Sequence, residues 1–289
     1  MDVEIILNPS AGRGRGAERF GRLPGLPPAW GDAVPVRTRG PGHAASLAAA
    51  AADRGAGLLV VAGGDGPLHE SVNGLMRVEP RRRPTVAHLP VGTGCDFARA
   101  LGLSDRRGAL RGSPSDWQPR AVDVGEIAPE RGDRCWCVTA ANIGRGPTVA
   151  RWETHTALRR FGRPANALAA AAAILPGRPQ PLTVESGAVR RDGPTLNLSV
   201  CNGPYFGGGM QPCPSARLDD GLLQVAWVRD MGRLAAVARL PGLMRGSLRD
   251  HPRLDPSRIA TFGLLISRQE GAFRIDIEAI RTMPLPGES

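Results

Sequence analysis

The chain has 289 residues, 42% of them hydrophobic, enough for two modest domains or one large one. Its 37 basic residues are all arginine and outweigh 27 acids, leaving a net charge of +10 that draws a protein to phosphate-rich surfaces. Yet aromatics are only 4% of the chain and the arginines are scattered apart from Arg81-Arg82-Arg83, which argues against a nucleic-acid module and leaves a plain solvated surface or attraction to anionic membrane.

Val3 to Leu7 read as a buried strand, broken by the turn Asn8-Pro9-Ser10-Ala11-Gly12. Residues 43–54 are alanine-rich and helical. Leu58 to Ala62 form a second apolar strand, followed at once by Gly63-Gly64-Asp65-Gly66 and by a helix from His69 to Met76. Thr85 to Leu89 form a third strand, then Pro90-Val91-Gly92-Thr93-Gly94 and a helix from Phe97 to Leu101. Strand, glycine turn and helix recurring in this order predict an α/β domain with a parallel three-layer sheet.

The texture changes after about residue 123. Strands are expected at Cys135–Asn142, Leu182–Glu185, Thr195–Cys201, Leu222–Val228, Ile259–Ser267 and Phe273–Ile277, with helices at about 165–175 and 231–246. This predicts a second, β-rich domain, an antiparallel β-sandwich, with the boundaries 1–125 and 126–289.

Several function classes drop out. Without lysine there is no P-loop of the form G-x-x-x-x-G-K-S/T. The five cysteines (Cys95, Cys135, Cys137, Cys201, Cys213) make no C-x-x-C pair or zinc spacing, and Cys135 to Cys137 are expected on a strand. Their odd number, with no charged-then-apolar leader, fits a reducing cytoplasm. The apolar run from Ala167 to Leu175 is too short to span a bilayer, so membrane contact is expected to be peripheral, at the inner face. The five histidines are scattered and receive no role.

Chemistry concentrates at the glycine turns. Open α/β sheets bind ligands beyond the carboxyl ends of their strands, where glycine lets backbone N–H groups approach phosphate. One such turn is usually only a tight loop; three at successive strand ends point to a nucleotide site. Gly12-Arg13-Gly14-Arg15-Gly16, with Asp32 beyond it, is a loose match to a dinucleotide fingerprint. Arg13 and Arg15 suit phosphate contact or plain solvent exposure equally. Asp65, flanked by glycines after an apolar strand, has magnesium as its natural partner. Asp96 is a second acid of this kind or a helix N-cap. Asp123, within Ala121-Val122-Asp123-Val124, reads as an acid in an apolar strand, costly unless paired or near a cation. The three acids are expected to share one metal–water network.

These strings resemble the diacylglycerol kinase catalytic family, and the resemblance covers nearly the whole chain in order. Gly63 to Gly66 with Glu70 and Asn73-Gly74 resembles the family's GGDGT-x-x-E-x-x-N-G, and Leu89 to Arg99 resembles its P-x-GTGNDFAR. Asn8 to Gly12 resembles NP-x-x-G, Asn202 to Met210 resembles NG-x-x-x-GGG-M, and Leu218 to Leu223 resembles L-x-DG-L-L. The soluble bacterial branch, related to sphingosine and ceramide kinases, is the nearest match.

The resemblance implies an ATP-dependent lipid kinase acting on a diacylglycerol-like substrate, with the lipid entering between the two domains. It implies ATP contacts at Asn8, Pro9, Ser10, Gly12, Thr38, Gly63, Gly64, Asp65, Gly66, Gly92, Thr93 and Gly94. Magnesium is implied at Asp65, Asp96 and Asp123, acting through water. A structural metal is implied at Asp220 with the carbonyls near Arg217 and Leu222. The family's general base, the aspartate of a D-G-E motif, has Asp276 of Asp276-Ile277-Glu278 as its counterpart, although an ordinary solvent-facing strand acid is an equally good reading of that residue. The expected partner is a lipid at a membrane surface, not nucleic acid, and a homodimer is compatible with this reading. Three departures favour a second reading, a relative that binds nucleotide or lipid without transfer: Pro67 replaces threonine, Cys95 asparagine and Ile277 glycine. A third reading, an NAD kinase, shares the GGDG turn but lacks counterparts to the Leu218 and Asn202 strings.

Overall fold

A computed structural model describes residues 2–23, 30, 32–103, 119–129, 132–144, 179–186, 189–229, 233–247, 254–259, 262–268 and 271–277. The chain divides into two compact units, with the break between Ala121 and Val122.

The first unit is built on four parallel strands: β1 (Val3–Leu7), β2 (Pro35–Arg37), β3 (Leu58–Gly63) and β4 (Thr85–Pro90), in the order β2-β1-β3-β4. Every residue of β3 is buried, as expected of a strand covered on both faces. The pleat sends Ile5, Leu7, Leu58, Val60, Ala62 and Leu89 to one face, where Trp30 and the partly buried Ala17 and Phe20 complete a core. Ala17 and Phe20 belong to α2 (Gly16–Gly21), which follows a short turn, α1 (Ala11–Gly14). Ile6, Leu59 and Val61 point the other way, and α3 (His43–Asp53) and α4 (Asp65–Leu75) add Ala44, Ala48, Ala51, Leu68, Val72 and Leu75 to that side. The result is the expected three-layer α/β arrangement. Fully buried valine and leucine side chains contribute about 1.5–3 kcal/mol each, so this double-sided sheet is the stable frame on which the turns sit.

Alanine in α3 and glycine in α4 set how closely the two helices approach. A Cβ added at Gly74 would lie 2.1 Å from the carbonyl oxygen of Ala45. The Asn73-Gly74 pair of the sequence motif is therefore a packing device: Gly74 admits the neighbouring helix, and Asn73 bonds its own helix through the His69 carbonyl at 2.8 Å.

The second unit is antiparallel and β-rich. Its seven-stranded sheet runs β11-β10-β9-β8-β12-β13, with β7 also paired to β9. The strands are β7 (Ala140–Gly144), β8 (Gln180–Ser186), β9 (Val189–Cys201), β10 (Leu223–Arg229), β11 (Leu254–Ile259), β12 (Phe262–Arg268) and β13 (Gly271–Ile277). A two-stranded sheet pairs β5 (Gly125–Ile127) with β6 (Cys135–Cys137). Leu182, Val184, Leu198, Val200, Leu223, Val225 and Trp227 form its core, with Ile127 and Ile143 packed against them. The buried Trp227 indole donates to the Thr195 hydroxyl at 2.8 Å, which spares it an unsatisfied N–H.

Several expected elements change shape. The stretch 135–142 is two strands because its pairing partner switches from β5 to β9, while the Thr139 carbonyl turns to accept the N–H groups of Asn202 and Gly203. Likewise 259–267 divides between β11, paired to β10, and β12, paired to β8 and β13. The helix at 231–246 is two, α6 (Arg233–Ala238) and α7 (Leu240–Arg245), because Pro241 is confined to a first helical turn. Asp123 precedes β5 and is not within a strand. Strand β2 and the turns α1 and α2 carried too little periodicity to be read. The helix at about 165–175 lies outside the described residues.

Gly74→Ala isolates the helix contact. The added methyl gains helix propensity, but its collision with the Ala45 backbone should lower stability by about 1–3 kcal/mol. Urea unfolding of the two proteins measures the difference.

Candidate active site

Parallel strands bring their carboxyl ends to one edge, so the turns after β1, β3 and β4 meet there. After β1 the Asn8 carboxamide accepts the Ser10 N–H at 2.9 Å, and the Asn8 N–H is held by the Ala62 carbonyl of β3 at 2.9 Å. The chain then closes tightly. Gly12 has φ 57, and a Cβ there would meet the Arg19 guanidinium at 2.0 Å and the Val91 carbonyl oxygen at 2.6 Å. Arg19 from α2 donates to the Val91 and Gly92 carbonyls at 2.8 and 3.1 Å, tying the first turn to the third. Sequence reasoning missed this arginine; its position on α2 follows only from the tight turn before it.

The second and third turns are fastened to each other. The Gly63 carbonyl accepts the N–H groups of Val91 and Gly92 at 3.1 and 3.0 Å. A Cβ at Gly92 would come within 2.5 Å of the Gly64 Cα, so the two backbones touch where neither has a side chain. Asp65 completes the joint. Its Oδ2 accepts the Asp96 N–H and its Oδ1 the Phe97 N–H, each at 3.0 Å. It thus caps α5 (Asp96–Ala100) from the start of α4. Both oxygens retain a lone pair, which suits magnesium held directly or through water.

Asp96 does not cap its helix. It is the first residue of α5, only 3% exposed, and pairs with Arg99, which also donates to the Gly94 carbonyl at 3.1 Å. Thr93 is exposed beside them. The Thr38 N–H extends the β1–β2 ladder to Leu7 at 2.9 Å. Glu70 accepts the Ala44 N–H at 3.2 Å, filling the place of a cap for α3, whose Gly42 N-cap has no side chain. That is a supporting role, exercised on the neighbouring helix α3 and not on its own helix α4.

Two of the three departures find an account here. Pro67 lies in the first turn of α4, where an N–H has no intrahelical partner, so the helix loses no hydrogen bond, although a hydroxyl and one N–H at this edge are gone; its ring fills the space over Gly63. Cys95 has φ 51, a conformation that asparagine adopts more readily, and its thiol lies 3.7 Å from the Gly63 carbonyl. Below the joint, His88 of β4 is 6% exposed, with neither ring nitrogen hydrogen-bonded and its ring 6.1 Å from that of Phe97. Burial pulls its pKa down, against the charge of Asp65 and the nearby Gly63 carbonyl.

The remaining candidates belong to the second unit. Asp123 is fully buried against the loop after Leu218: its N–H donates to the Leu218 carbonyl and its Oδ2 accepts the Gly221 N–H, both at 2.7 Å. Buried Asn202 fixes this segment by donating to the Asp123 and Val138 carbonyls at 2.7 and 3.1 Å. Asp220 accepts the Leu222 N–H at 3.1 Å, and Arg217 pairs with Asp219 at 3.4 Å. Asp123 Oδ1 has no hydrogen-bond partner. Its pKa is raised, first by burial and then by the charges of Asp220 and Asp219, with the Gly221 N–H opposing. An unsatisfied buried carboxylate oxygen among acids is the donor chemistry a hard cation takes. Among the described residues no group of three or more His, Cys, Asp or Glu side chains is arranged to hold a metal by itself. Asp276 lies in β13 with Gly263 as its ladder partner on β12, and Glu278 lies outside the described residues.

Two substitutions test this account. Because the folded pKa of Asp123 is raised, its unfavourable ionisation in the folded state takes stability away as pH climbs from the ordinary carboxylate range. Asp123→Asn should raise the melting temperature by a few degrees at pH about 8, a gain that closes as pH falls through about 4. Cys95→Asn should add about 0.5–1 kcal/mol by relieving the left-handed backbone, read by urea unfolding.

Comparison with known proteins fits this arrangement. Residues 2–127 match the family model of the diacylglycerol kinase catalytic domain, and residues 141–287 that of the YegS C-terminal NAD kinase beta sandwich-like domain. A protein of Chromohalobacter salexigens named probable lipid kinase YegS-like is 30% identical over 199 residues, 69% of this chain and 62% of the relative. One of the same name from Stenotrophomonas maltophilia is 34% identical over 189 residues, 64% of this chain and 60% of the relative. The matched stretch thus spans less than two thirds of these relatives. The crystal structure of a Bacillus anthracis diacylglycerol kinase shares the fold, with a TM-score of 0.69 and 22% identity, covering 99% of this chain and 97% of that one. The chain belongs to the diacylglycerol kinase catalytic-domain family, with the β-rich domain of the YegS-like proteins behind the catalytic one.

Proposed function

We propose that the protein is an ATP-dependent lipid kinase that moves the γ-phosphoryl group of ATP to a lipid hydroxyl, with a diacylglycerol-like lipid as acceptor. The observation that carries this reading is the joint at the sheet edge. Three turns meet there: the second and third, in backbone contact at glycines, are locked by the Asp65 carboxylate and the Gly63 carbonyl, and the first is tied to the third through Arg19, leaving amides and a carboxylate at one place. Phosphoryl transfer asks a protein mainly for positioning and charge neutralisation, and a rigid edge of this kind supplies the first.

The backbone from Asn8 to Gly12, at Gly63, Gly64 and Gly66, and at Gly92 to Gly94, together with Thr38, cradles the nucleotide. Asp65 and Asp96 are the groups of the first unit that would hold magnesium, which neutralises phosphate charge when bound, and Asp123 is the candidate carboxylate of the second unit. Asp220, with the carbonyls of Arg217 and Leu222, is the proposed second cation site. Asp276 accepts the proton of the lipid hydroxyl as its oxygen bonds to the γ-phosphorus and ADP departs. The lipid reaches the protein at the membrane surface by peripheral contact; among the described residues no helix is long and apolar enough to cross a bilayer.

A second reading, nucleotide binding without transfer, is favoured by Cys95, whose strained turn replaces an amide with a weak thiol donor. Incubation with γ-labelled ATP, magnesium and a mixed lipid extract separates the two. The kinase reading expects label in an organic-soluble product and a loss of at least about a hundredfold in Asp65→Asn. Nucleotide binding with no labelled lipid would sink it.

A further inference from the structure

We propose that the free edge of the first sheet, β2 with the residues around it, is a docking surface for an anionic lipid bilayer. The surface takes its purpose from the lipid-kinase reading but can be tested apart from it.

Among the described residues strand β2 pairs only with β1, which leaves its other side without a strand partner there. Val34 and Val36 are 78% and 45% exposed, two of the three large apolar side chains exposed among the described residues. Arg37 and Arg39 follow at once, both exposed, and no acidic side chain pairs with either among the described residues. The one acid in the described stretch 32–42 is Asp32, at the opposite end of the strand. An apolar side chain next to an unneutralised guanidinium suits a bilayer surface: the methyl groups enter the interface and the guanidinium forks meet lipid phosphates. A second copy is a poorer occupant, since Pro35 and Arg37 on a three-residue strand, with Arg39 just beyond it, discourage edge pairing.

Sheet order gives the surface its direction. The strands are parallel, so Arg37 and Arg39 emerge at the same edge as Asn8, Gly63 and Gly92. The order β2-β1-β3-β4 sets these arginines at one side of that edge and Asp65 and Asp96 at the other. A bilayer held at β2 lies beside the glycine turns without covering the acids.

The test is co-sedimentation of the full chain with mixed phosphatidylcholine/phosphatidylglycerol vesicles and with pure phosphatidylcholine vesicles. Binding is expected to the mixed vesicles only and to weaken with salt. Arg37→Gln/Arg39→Gln should lower it about tenfold or more, and Val34→Ser/Val36→Ser should weaken it a few-fold at unchanged charge. Arg77→Gln/Arg81→Gln, an equal charge change at the opposite end of the sheet, should leave it near the parent value. Equal losses from both arginine pairs, parent-like binding by Arg37→Gln/Arg39→Gln, or no vesicle binding by the parent would each overturn the proposal. So would weaker nucleotide binding in Arg37→Gln/Arg39→Gln with vesicle binding intact, which would give the arginines to the nucleotide. So would a change of oligomeric state in Val34→Ser/Val36→Ser without vesicles, which would give the edge to a second copy. Transfer to a short-chain, water-soluble lipid is measured alongside. Its absence in the parent with the expected vesicle pattern would remove the kinase reading and leave the surface standing.

Discussion

One joint organises the first unit: the Asp65 carboxylate receiving the Asp96 and Phe97 N–H groups while the Gly63 carbonyl receives those of Val91 and Gly92. It fixes the start of α4 to the start of α5, and the turn after β3 to the turn after β4. Without it the turns after β3 and β4 would be separate loops, each with its own conformational freedom. Charge-assisted bonds to backbone amides are among the stronger ones available to a partly buried carboxylate. Asp65 therefore has a structural duty as well as the proposed chemical one, and a substitution there disturbs both.

The glycines around the joint act by absence. Gly92 and Gly64 let two backbones touch, Gly12 leaves room for the Arg19 guanidinium, and Gly74 lets α3 meet α4. Each contact forbids a methyl group, so the pattern GGDG…NG…GTG describes close approach at an edge and between helices. Glu70 and Asn73 belong to the same scaffold, one capping α3 and the other bonding within α4. Thr93, by contrast, is exposed at this edge.

Asp123 shows a different balance. Its Oδ2 is satisfied by Gly221, its Oδ1 by nothing, and its surroundings disfavour the charge. Buried polar groups are normally paired, and leaving one unpaired costs stability. His88 presents the same feature in the first unit, with both ring nitrogens unpartnered beneath the joint.

The parallel sheet was legible in the sequence because apolar runs such as Leu58 to Ala62, each ending in glycines, leave few other foldings, and the motif glycines marked the edge where the turns meet. Strand β2 was not legible: three residues with two exposed side chains carry no periodicity, and only pairing with β1 makes them a strand. Nor could local pattern divide 135–142 or 259–267, since the break is a change of partner, not of residue type. By itself the sequence determined which residues are acids, glycines and apolar runs, and hence the family and the edge. Tertiary structure alone decided that Asp65 reaches the amides of residues 96 and 97, that Arg19 reaches the carbonyls of residues 91 and 92, and that Asp123 lies against the loop of Gly221. Those contacts join positions 31 to 98 residues apart, and no local propensity encodes them.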